Sequence, residues 1–271
     1  MHIHIESGSF DLFGKTFPLY GLCFWIGIIL ATTLAILLCT KRGMKRYDLI
    51  YAAVFAMVGV FIGSKLLFIL ITLPEIIEND IPLMSVIRGG FVFYGGLGGG
   101  ALGIFIYAKS FKMKVIDFFD MCAVVVPLGH AAGRVGCLFG GCCYGCPYDG
   151  PFSVTYGSTQ GTVPLNTPLL PVQLIESMSL LLLFVVILVV FLLRPKQRGL
   201  NSCLYLIGYP IIRFTLEFFR YDAERGGFLG LSTSQWISLA IFVGSVTWLV
   251  FSLIKKRKGC EDREEQPQEN S

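Results

Sequence analysis

Charged residues are scarce in this chain: Asp, Glu, Lys and Arg make up 15% of its 271 residues, whereas hydrophobic residues make up 54%. A water-soluble domain carries about 25% charged residues. The mean hydropathy of +0.70 agrees with this deficit. The composition therefore excludes a soluble globular protein, and the modest net charge of +4 gives no reason to expect a nucleic-acid partner.

Three further absences narrow the class of membrane protein. Residues 1–18 lack the basic segment of a signal peptide, so the first apolar run is expected to be retained. No Ser/Pro-rich linker divides the chain, which predicts a single transmembrane domain over residues 1–258 and a polar cytoplasmic tail over 259–271. The last apolar run, 234–254, contains no lysine, which counts against a retinal protein.

Apolar runs of about 20 residues are long enough to cross the hydrocarbon core as helices. The predicted spans are residues 18–40, 49–72, 91–109, 115–136, 172–193, 203–219 and 234–254. The sequence therefore predicts an all-α membrane protein with about seven transmembrane helices.

Basic residues follow every second predicted span and set the expected orientation. They are Lys41, Arg42, Lys45 and Arg46, then Lys109, Lys112 and Lys114, then Arg194, Lys196 and Arg198, then Lys255, Lys256, Arg257 and Lys258. The opposite loops are acidic and contain Glu75, Glu78, Asp80, Asp149, Asp222 and Glu224. The start is therefore predicted to lie outside and the end in the cytoplasm, with a folded outer loop over 137–171.

Polar residues inside the predicted spans concentrate toward their outer ends. A charge in hydrocarbon is costly and usually marks a functional site or an ion pair. The residues concerned are Tyr20, Lys65, Tyr94, Arg134, Glu176, Arg213, Glu217 and Arg220. Arg213 and Glu217, four residues apart, are also spaced to form an ion pair on one helix face, so a structural role stays open for them.

Glycines crowd the third predicted span. They are Gly89, Gly90, Gly95, Gly96, Gly98, Gly99, Gly100 and Gly103. Glycines allow a helix or a lipid tail to approach the backbone closely. At this density they also weaken a helix, so a broken segment is an alternative.

Five segments in order resemble the motifs of one family of membrane enzymes. They are PLYG at 18–21, RGGFVFYGGL at 88–97, GRVGCLFGGCCYG at 133–145, PVQLIE at 171–176 and YPIIRFTLEFFR at 209–220. Together they resemble the bacterial prolipoprotein diacylglyceryl transferases over most of the chain. The family's outside start agrees with the predicted orientation.

The resemblance implies a transferase in the bacterial plasma membrane with its active site facing the outer leaflet. Such enzymes move the diacylglyceryl group of phosphatidylglycerol to the lipobox cysteine thiol of prolipoprotein signal peptides. A thioether forms and glycerol phosphate leaves. The expected partners are phosphatidylglycerol, prolipoproteins and membrane lipids, and neither a cofactor nor a metal ion is expected.

The resemblance also assigns the expected site residues. Arg134 and Arg213 correspond to the family's essential arginines, whose guanidinium groups would hold the donor phosphate. Tyr20 and Tyr94 complete the expected catalytic residues. The expected substrate-binding residues are Arg134, Cys137, Gly145, Gln173, Glu176, Tyr209, Glu217, Arg220, Gly95 and Gly96.

Two positions depart from the family's pattern. Tyr94 stands where the best-known members have a histidine that has been proposed as a base, and Cys137 stands where they have an asparagine. A tyrosine is ordinarily protonated at neutral pH, and a thiol is a weak hydrogen-bonding group. A paralogue with a different lipid donor or acceptor therefore stays open. His130, one turn before Arg134, is expected to be a packed, hydrogen-bonded helix residue rather than the base.

A small-molecule transporter is a further alternative, because a glycine-broken helix among seven spans would suit one. A transporter should carry its intramembrane charges toward both faces of the membrane, and in this sequence they lie toward one face. The transferase is therefore favoured.

The first ten residues of the predicted outer loop, 137–146, contain four cysteines: Cys137, Cys142, Cys143 and Cys146. Free thiols, a disulfide and a zinc site are the alternatives. Adjacent cysteines seldom both bind one metal ion, so the spacing favours free thiols or a disulfide over zinc.

Overall fold

The fold is taken from a computed structural model, which describes residues 2–5, 8–12, 14–78, 82–158, 161–221 and 227–264. Within this part the helices are α1 Leu19–Leu38, α2 Arg46–Glu78, α3 Leu83–Arg88, α4 Phe93–Ser110, α5 Val115–Gly140, α6 Val172–Leu193, α7 Leu200–Glu217 and α8 Thr233–Glu264, with a 3₁₀ helix at Cys39–Arg42. The strands are β1 Ile3–Ile5, β2 Ser9–Leu12, β3 Lys15–Pro18, β4 Val154–Tyr156, β5 Gly227–Phe228 and β6 Leu231–Ser232. Asp80, Asp222, Glu224 and tail residues 265–271 lie outside the described residues.

A helix lies at each of the seven predicted spans, and five of them are long and apolar enough to cross a membrane. These five are α1, α2, α5, α6 and α8. The remaining two, α4 and α7, have 18 residues each. Glycines lower the hydropathy of α4, and Arg213 and Glu217 lower that of α7. The chain is thus a mostly helical membrane protein, as predicted, and the count of seven spans stays a prediction.

Helices α2, α5 and α8 run at least four residues past the ends that the sequence predicts. Helix α8 continues to Glu264, so the first residues of the predicted tail are helical. Helix α5 ends at Gly140, because Gly141 adopts a left-handed backbone with φ 62°. The N–H of Gly141 donates to the carbonyl of Leu138, and that of Cys142 to the carbonyl of Cys137. This pair of bonds is the Schellman motif that commonly ends helices at glycine, and it places Cys137 in the last turns of α5 rather than in the loop.

The chain divides into two compact units. Unit 1 comprises Met1–Leu34, Ala123–Arg194 and Leu200–Ser271, and unit 2 comprises Ala35–Cys122 and Pro195–Gly199. In unit 1, α7 packs against α6 and α8. The α1 and α5 backbones approach at glycine, since a Cβ atom on Gly27 would lie 2.8 Å from the carbonyl oxygen of Gly129.

The described part of residues 141–171, together with β1, forms a packed cap in unit 1. Strand β1 runs parallel to β4, with Ile3 opposite Val154. The buried cap core consists of Ile5, Leu138, Tyr144, Val154, Tyr156, Val163 and Leu169. The hydroxyl of Tyr156 donates to the carbonyl of Leu138 at 2.8 Å, and burial raises the pKa of this phenol, which keeps it a donor. The loop predicted to be folded is therefore folded, with a hydrophobic core of its own.

In unit 2, α2 and α4 pack with their backbones in contact. A Cβ atom on Gly99 would lie 2.1 Å from the carbonyl oxygen of Gly59, and one on Gly95 would lie 2.3 Å from that of Gly63. Only hydrogen fits at these positions. Because α4 is a continuous helix, its glycines serve close packing rather than a break.

A buried network of charges that the sequence analysis did not single out surrounds Arg42 in unit 2. The Arg42 guanidinium donates to the carboxylates of Asp117 and Asp120 and to the carbonyl of Pro195. Arg198 Nε donates to Asp117 at 2.9 Å. From the sequence, Arg42 and Arg198 are assigned only a role in setting the membrane orientation. Asp117 and Asp120 lie three residues apart at the start of an apolar helix, and this pattern could have indicated a buried basic partner.

The α2–α4 contact predicts a position-specific effect of a single methyl group. Gly99→Ala should lower the melting temperature of the purified protein in detergent, since its Cβ must displace the α2 backbone at a cost of about 1–3 kcal/mol. Gly98→Ala is the matched control, because a Cβ there meets nothing within 4 Å. Alanine is also the better helix former. Equal melting temperatures for the two variants would contradict the packing described here.

Candidate functional site

Arg134 forms a buried ion pair across two helices of unit 1. Its Nη2 atom lies 3.0 Å from Oε1 of Glu176, and 13% of the Arg134 side chain and 1% of the Glu176 side chain are exposed. Ser177, next in α6, donates to the carbonyl of Ala131 in α5 at 3.0 Å. The start of α6 is thereby held against the last turns of α5, and the carboxylate is held against the guanidinium.

His130 packs within this site, as the sequence predicted. Arg134 Nε donates to His130 Nε2 at 3.4 Å. The imidazole also meets the ring of Tyr209 edge to face, with ring centroids 5.1 Å apart. The nitrogen that would accept a proton is therefore occupied by the guanidinium.

Arg213 and Glu217 form the ion pair that their spacing predicted. The Arg213 Nη2 atom lies 2.7 Å from Glu217 Oε2 and donates to Ser234 Oγ at 3.1 Å. Ser232 donates to Glu217 Oε1 at 2.7 Å. These bonds tie the end of α7 to the start of α8.

The start of α8 is fixed by a motif that the sequence analysis missed. The N–H of Ser232 donates to Gln235 Oε1, and the N–H of Gln235 contacts Ser232 Oγ in return. This reciprocal pair is a capping box, and its sequence pattern of Ser followed three residues later by Gln was readable in advance. The box positions Ser232 and Ser234 against the Arg213–Glu217 pair.

Tyr209 links the two ion pairs. It lies one helical turn before Arg213 in α7, its ring contacts that of His130, and it is within electrostatic range of Arg134, Arg213 and Glu176. Two arginines, two glutamates and a tyrosine therefore form one polar cluster at one end of unit 1.

Two side chains of this cluster, Arg213 and Glu176, have unused hydrogen-bonding capacity. Among the described residues, Arg213 Nη1 has no acceptor, and the carboxylate oxygens of Glu176 accept no hydrogen bond beyond the ion-pair contact. Buried polar atoms in native proteins are nearly always hydrogen-bonded. The cluster can therefore both donate to and accept from a polar ligand.

Tyr20 lies at the same end of unit 1. A Cβ atom on Gly136 would lie 3.1 Å from the Tyr20 carbonyl oxygen, and one on Gly140 would lie 3.7 Å from Tyr20 Cβ. Its side chain is 44% exposed. Tyr20 is also within electrostatic range of Arg134, which brings it to the predicted site.

Three more predicted residues hold the cap in place. Gln173 Nε2 donates to the carbonyl of Cys142 at 2.9 Å. Gly145 pairs with Arg220 in an isolated antiparallel bridge, and a Cβ on Gly145 would lie 2.5 Å from the carbonyl oxygen of Leu170. Gly145 is thus required by close packing, while Gln173 and Arg220 join the cap to α6 and to the end of α7.

Three of the four clustered cysteines meet in the cap. The sulfur atoms of Cys137, Cys142 and Cys143 all lie within 4.8 Å of one another, and the three residues are half-buried. Hydrogen bonds from Cys137 and Cys142 lower the pKa of the Cys143 thiol, and the positive charges of Arg220 and Arg134 lower it further. Cys143 therefore lies within electrostatic range of both arginines, and Cys137 within range of Arg134.

The predicted residues of the third span belong to unit 2. Tyr94 lies in the first turn of α4 with 42% of its surface exposed. A Cβ on Gly96 would lie 2.4 Å from Ser64 Oγ, so Gly96, like Gly95, faces α2. Lys65 donates to three carbonyls at and after the end of α3, those of Val86, Gly89 and Gly90. The substrate-binding roles of Gly95 and Gly96 stay predictions beside this packing role.

Comparison with known proteins identifies relatives along nearly the whole chain. Residues 8–251 match the family model described as prolipoprotein diacylglyceryl transferase. A phosphatidylglycerol–prolipoprotein diacylglyceryl transferase 2 of Clostridium perfringens is 32% identical, over 92% of this chain and 96% of the relative. The corresponding enzyme of Clostridium tetani is 33% identical over 92% and 98%, and that of Proteus mirabilis is 30% identical over 92% of each chain.

The matched region contains the two arginine–glutamate pairs, Tyr20, Tyr94 and residues 141–171 of the cap. The chain belongs to the prolipoprotein diacylglyceryl transferase family.

Proposed function

We propose that this chain transfers the diacylglyceryl group of phosphatidylglycerol to the lipobox cysteine of prolipoproteins in the bacterial plasma membrane. The names of its relatives support this activity. The five apolar helices support a multi-pass membrane location. The polar cluster of unit 1 has the chemical groups that the reaction requires.

The observation that carries the proposal is the free donor on Arg213. Its Nη1 atom is buried and has no acceptor among the described residues, while Nη2 is already bound to Glu217 and Ser234. A guanidinium stays charged in a low-dielectric site and binds phosphate oxygens well. As the donor's C–O bond breaks, negative charge grows on the leaving phosphate, and a fixed arginine stabilises it.

Glu176 suits the other half of the donor headgroup. Its carboxylate is paired with Arg134, and its oxygens retain acceptor capacity. The glycerol of phosphatidylglycerol carries two hydroxyl donors. A site that combines a guanidinium donor with a carboxylate acceptor therefore matches a headgroup that combines a phosphate with hydroxyls.

The nucleophile in this reaction is the thiol of the acceptor cysteine, which reacts as the thiolate. The enzyme needs no nucleophile of its own. Tyr20 and Tyr94 are proposed to line the reacting groups, and Cys137, Gly145, Gln173, Tyr209 and Arg220 to shape the substrate site. We further propose seven spans, with the start and the polar cluster at the outer leaflet, because the basic loops alternate along the sequence.

The proposed phosphate contact predicts a loss of activity when the guanidinium group is replaced by the ammonium group of lysine. Arg213→Lys keeps the charge that balances Glu217 but replaces the planar fork of donor nitrogens by a single nitrogen, and should lower the rate about 100-fold. Arg134→Lys should act in the same direction. The rate is measured by mass spectrometry of a lipobox peptide incubated with purified protein and phosphatidylglycerol vesicles.

Arg194→Ala is the matched control, since this arginine is exposed at the end of α6 and should leave the rate unchanged. Full activity of both lysine variants would contradict the proposed site. Product formed only from a different phospholipid would favour the paralogue instead.

A second prediction concerns Tyr94. Because a tyrosine is ordinarily protonated at neutral pH, its hydroxyl should not be the base, and Tyr94→Phe should retain the rate within about threefold. The same peptide assay, run across a range of pH, tests this. A loss of two orders of magnitude, with an altered pH profile, would assign the hydroxyl a proton-transfer role.

A further inference from the structure

The three converging thiols of the cap are not needed by the phosphate chemistry described above. Cys137, Cys142 and Cys143 have all three sulfur atoms within 4.8 Å of one another, although the sequence spacing argued against a shared ligand. The fourth cysteine, Cys146, is not part of this group. The convergence therefore has a geometric cause that the spacing does not reveal.

Two backbone features produce this convergence. The Schellman motif at Gly141 folds the chain back, so that the Cys142 N–H reaches the Cys137 carbonyl. Cys143 then adopts a left-handed backbone with φ 59°. Adjacent side chains point in different directions in regular helices and strands. The left-handed backbone of Cys143 instead brings its side chain close to that of Cys142. A left-handed conformation is costly for a non-glycine residue and often marks a functional site.

The geometry fits a metal ion better than a disulfide. Thiolates bound tetrahedrally to zinc, with Zn–S near 2.3 Å, lie about 3.8 Å apart, which the trio reaches by shifts under about 1 Å. A disulfide would join two of the sulfur atoms and leave the third without a role. Three protein ligands and one open position are the arrangement found in catalytic zinc sites.

We propose that Cys137, Cys142 and Cys143 bind one zinc ion whose fourth position takes the thiolate of the acceptor cysteine. This inference rests on the proposed transferase function. A thiol that coordinates zinc is deprotonated outright, so the ion performs the activation for which the sequence provides no evident base. Half-burial of the three cysteines leaves one side of the site accessible.

The proposed transfer conserves atoms and charge. The acceptor thiol loses its proton to solvent as its sulfur binds zinc. The sulfur attacks the glyceryl carbon that carries the phosphate ester, and the C–O bond breaks with its electron pair leaving on the phosphate oxygen. One S–C bond replaces one C–O bond, and glycerol phosphate carries the negative charge away.

The charges around the trio suit this role. Three thiolates and one zinc ion carry a net charge of −1, and a fourth thiolate makes it −2. Arg134 and Arg220 lie within electrostatic range of Cys143 and offset this charge. Arg134 belongs also to the polar cluster, so one guanidinium lies within range of both the proposed thiolate site and the proposed phosphate site.

Cobalt(II) provides a direct test, because thiolate ligands give it charge-transfer absorption. The full-length protein, reduced and freed of metal by a chelator, should bind one equivalent of Co²⁺ with this absorption, and Zn²⁺ should displace it. Cys143→Ser should weaken binding at least about tenfold, because the loss of a ligand should cost no less than the loss of an outer-shell partner. Cys146→Ser is the matched control and should bind as the unmodified protein does.

Binding of the acceptor thiolate to the metal is tested by the same absorption measurement. A lipobox peptide should intensify the absorption by adding a fourth thiolate, and the same peptide with serine in place of cysteine should not. Absence of thiolate absorption, its persistence in Cys143→Ser, or a disulfide among the three cysteines in the purified protein would overturn the site. An unchanged spectrum with the cysteine peptide would overturn the acceptor role. Metal and peptide binding without lipidation would refute the proposed transferase and leave the zinc site standing.

Discussion

A charge inside an apolar helix bundle must be neutralised by a nearby partner, and this constraint organises unit 1. Breaking a buried ion pair by removing one member costs about 3–5 kcal/mol. Arg134 therefore requires Glu176, which fixes α6 against α5. Arg213 requires Glu217, and the serines that complete this pair fix the start of α8. The contacts that position these helices are thus the same contacts that form the polar cluster.

Much of this arrangement follows from local sequence. The apolar runs predict the helices, because the length of hydrocarbon to be crossed sets the length of the run. The i,i+4 spacing predicts the Arg213–Glu217 pair, since both partners lie on one helix face. The resemblance of the motifs assigns the family, which the comparisons confirm. Each of these inferences depends only on residues that are close in sequence, or on a series of motifs that occur in order along the chain.

The remainder depends on contacts between distant segments, which no local pattern encodes. The partner of Arg134 lies 42 positions away on another helix (176 − 134 = 42). Asp117 and Asp120 meet Arg42 across more than 70 positions of the chain, so their position at a helix start does not identify their partner. The spacing of the three cysteines does not reveal that their sulfur atoms converge, because the left-handed backbone of Cys143 is visible only in the structure. The glycines of α4 were recognised, but only the structure distinguishes Gly99, which touches α2, from Gly98, which does not.

The parallel pairing of β1 with β4 has a consequence for how the protein is made. His2 contacts Ser153 across 151 positions of sequence, and β1 aligns with β4 at the same place. Contacts of such high sequence separation form late, because loop closure must come before they contribute stability. During synthesis, β1 has no partner strand until β4 has left the ribosome. The cap therefore cannot close until residues 154–156 have been synthesised, although β1 is made long before them.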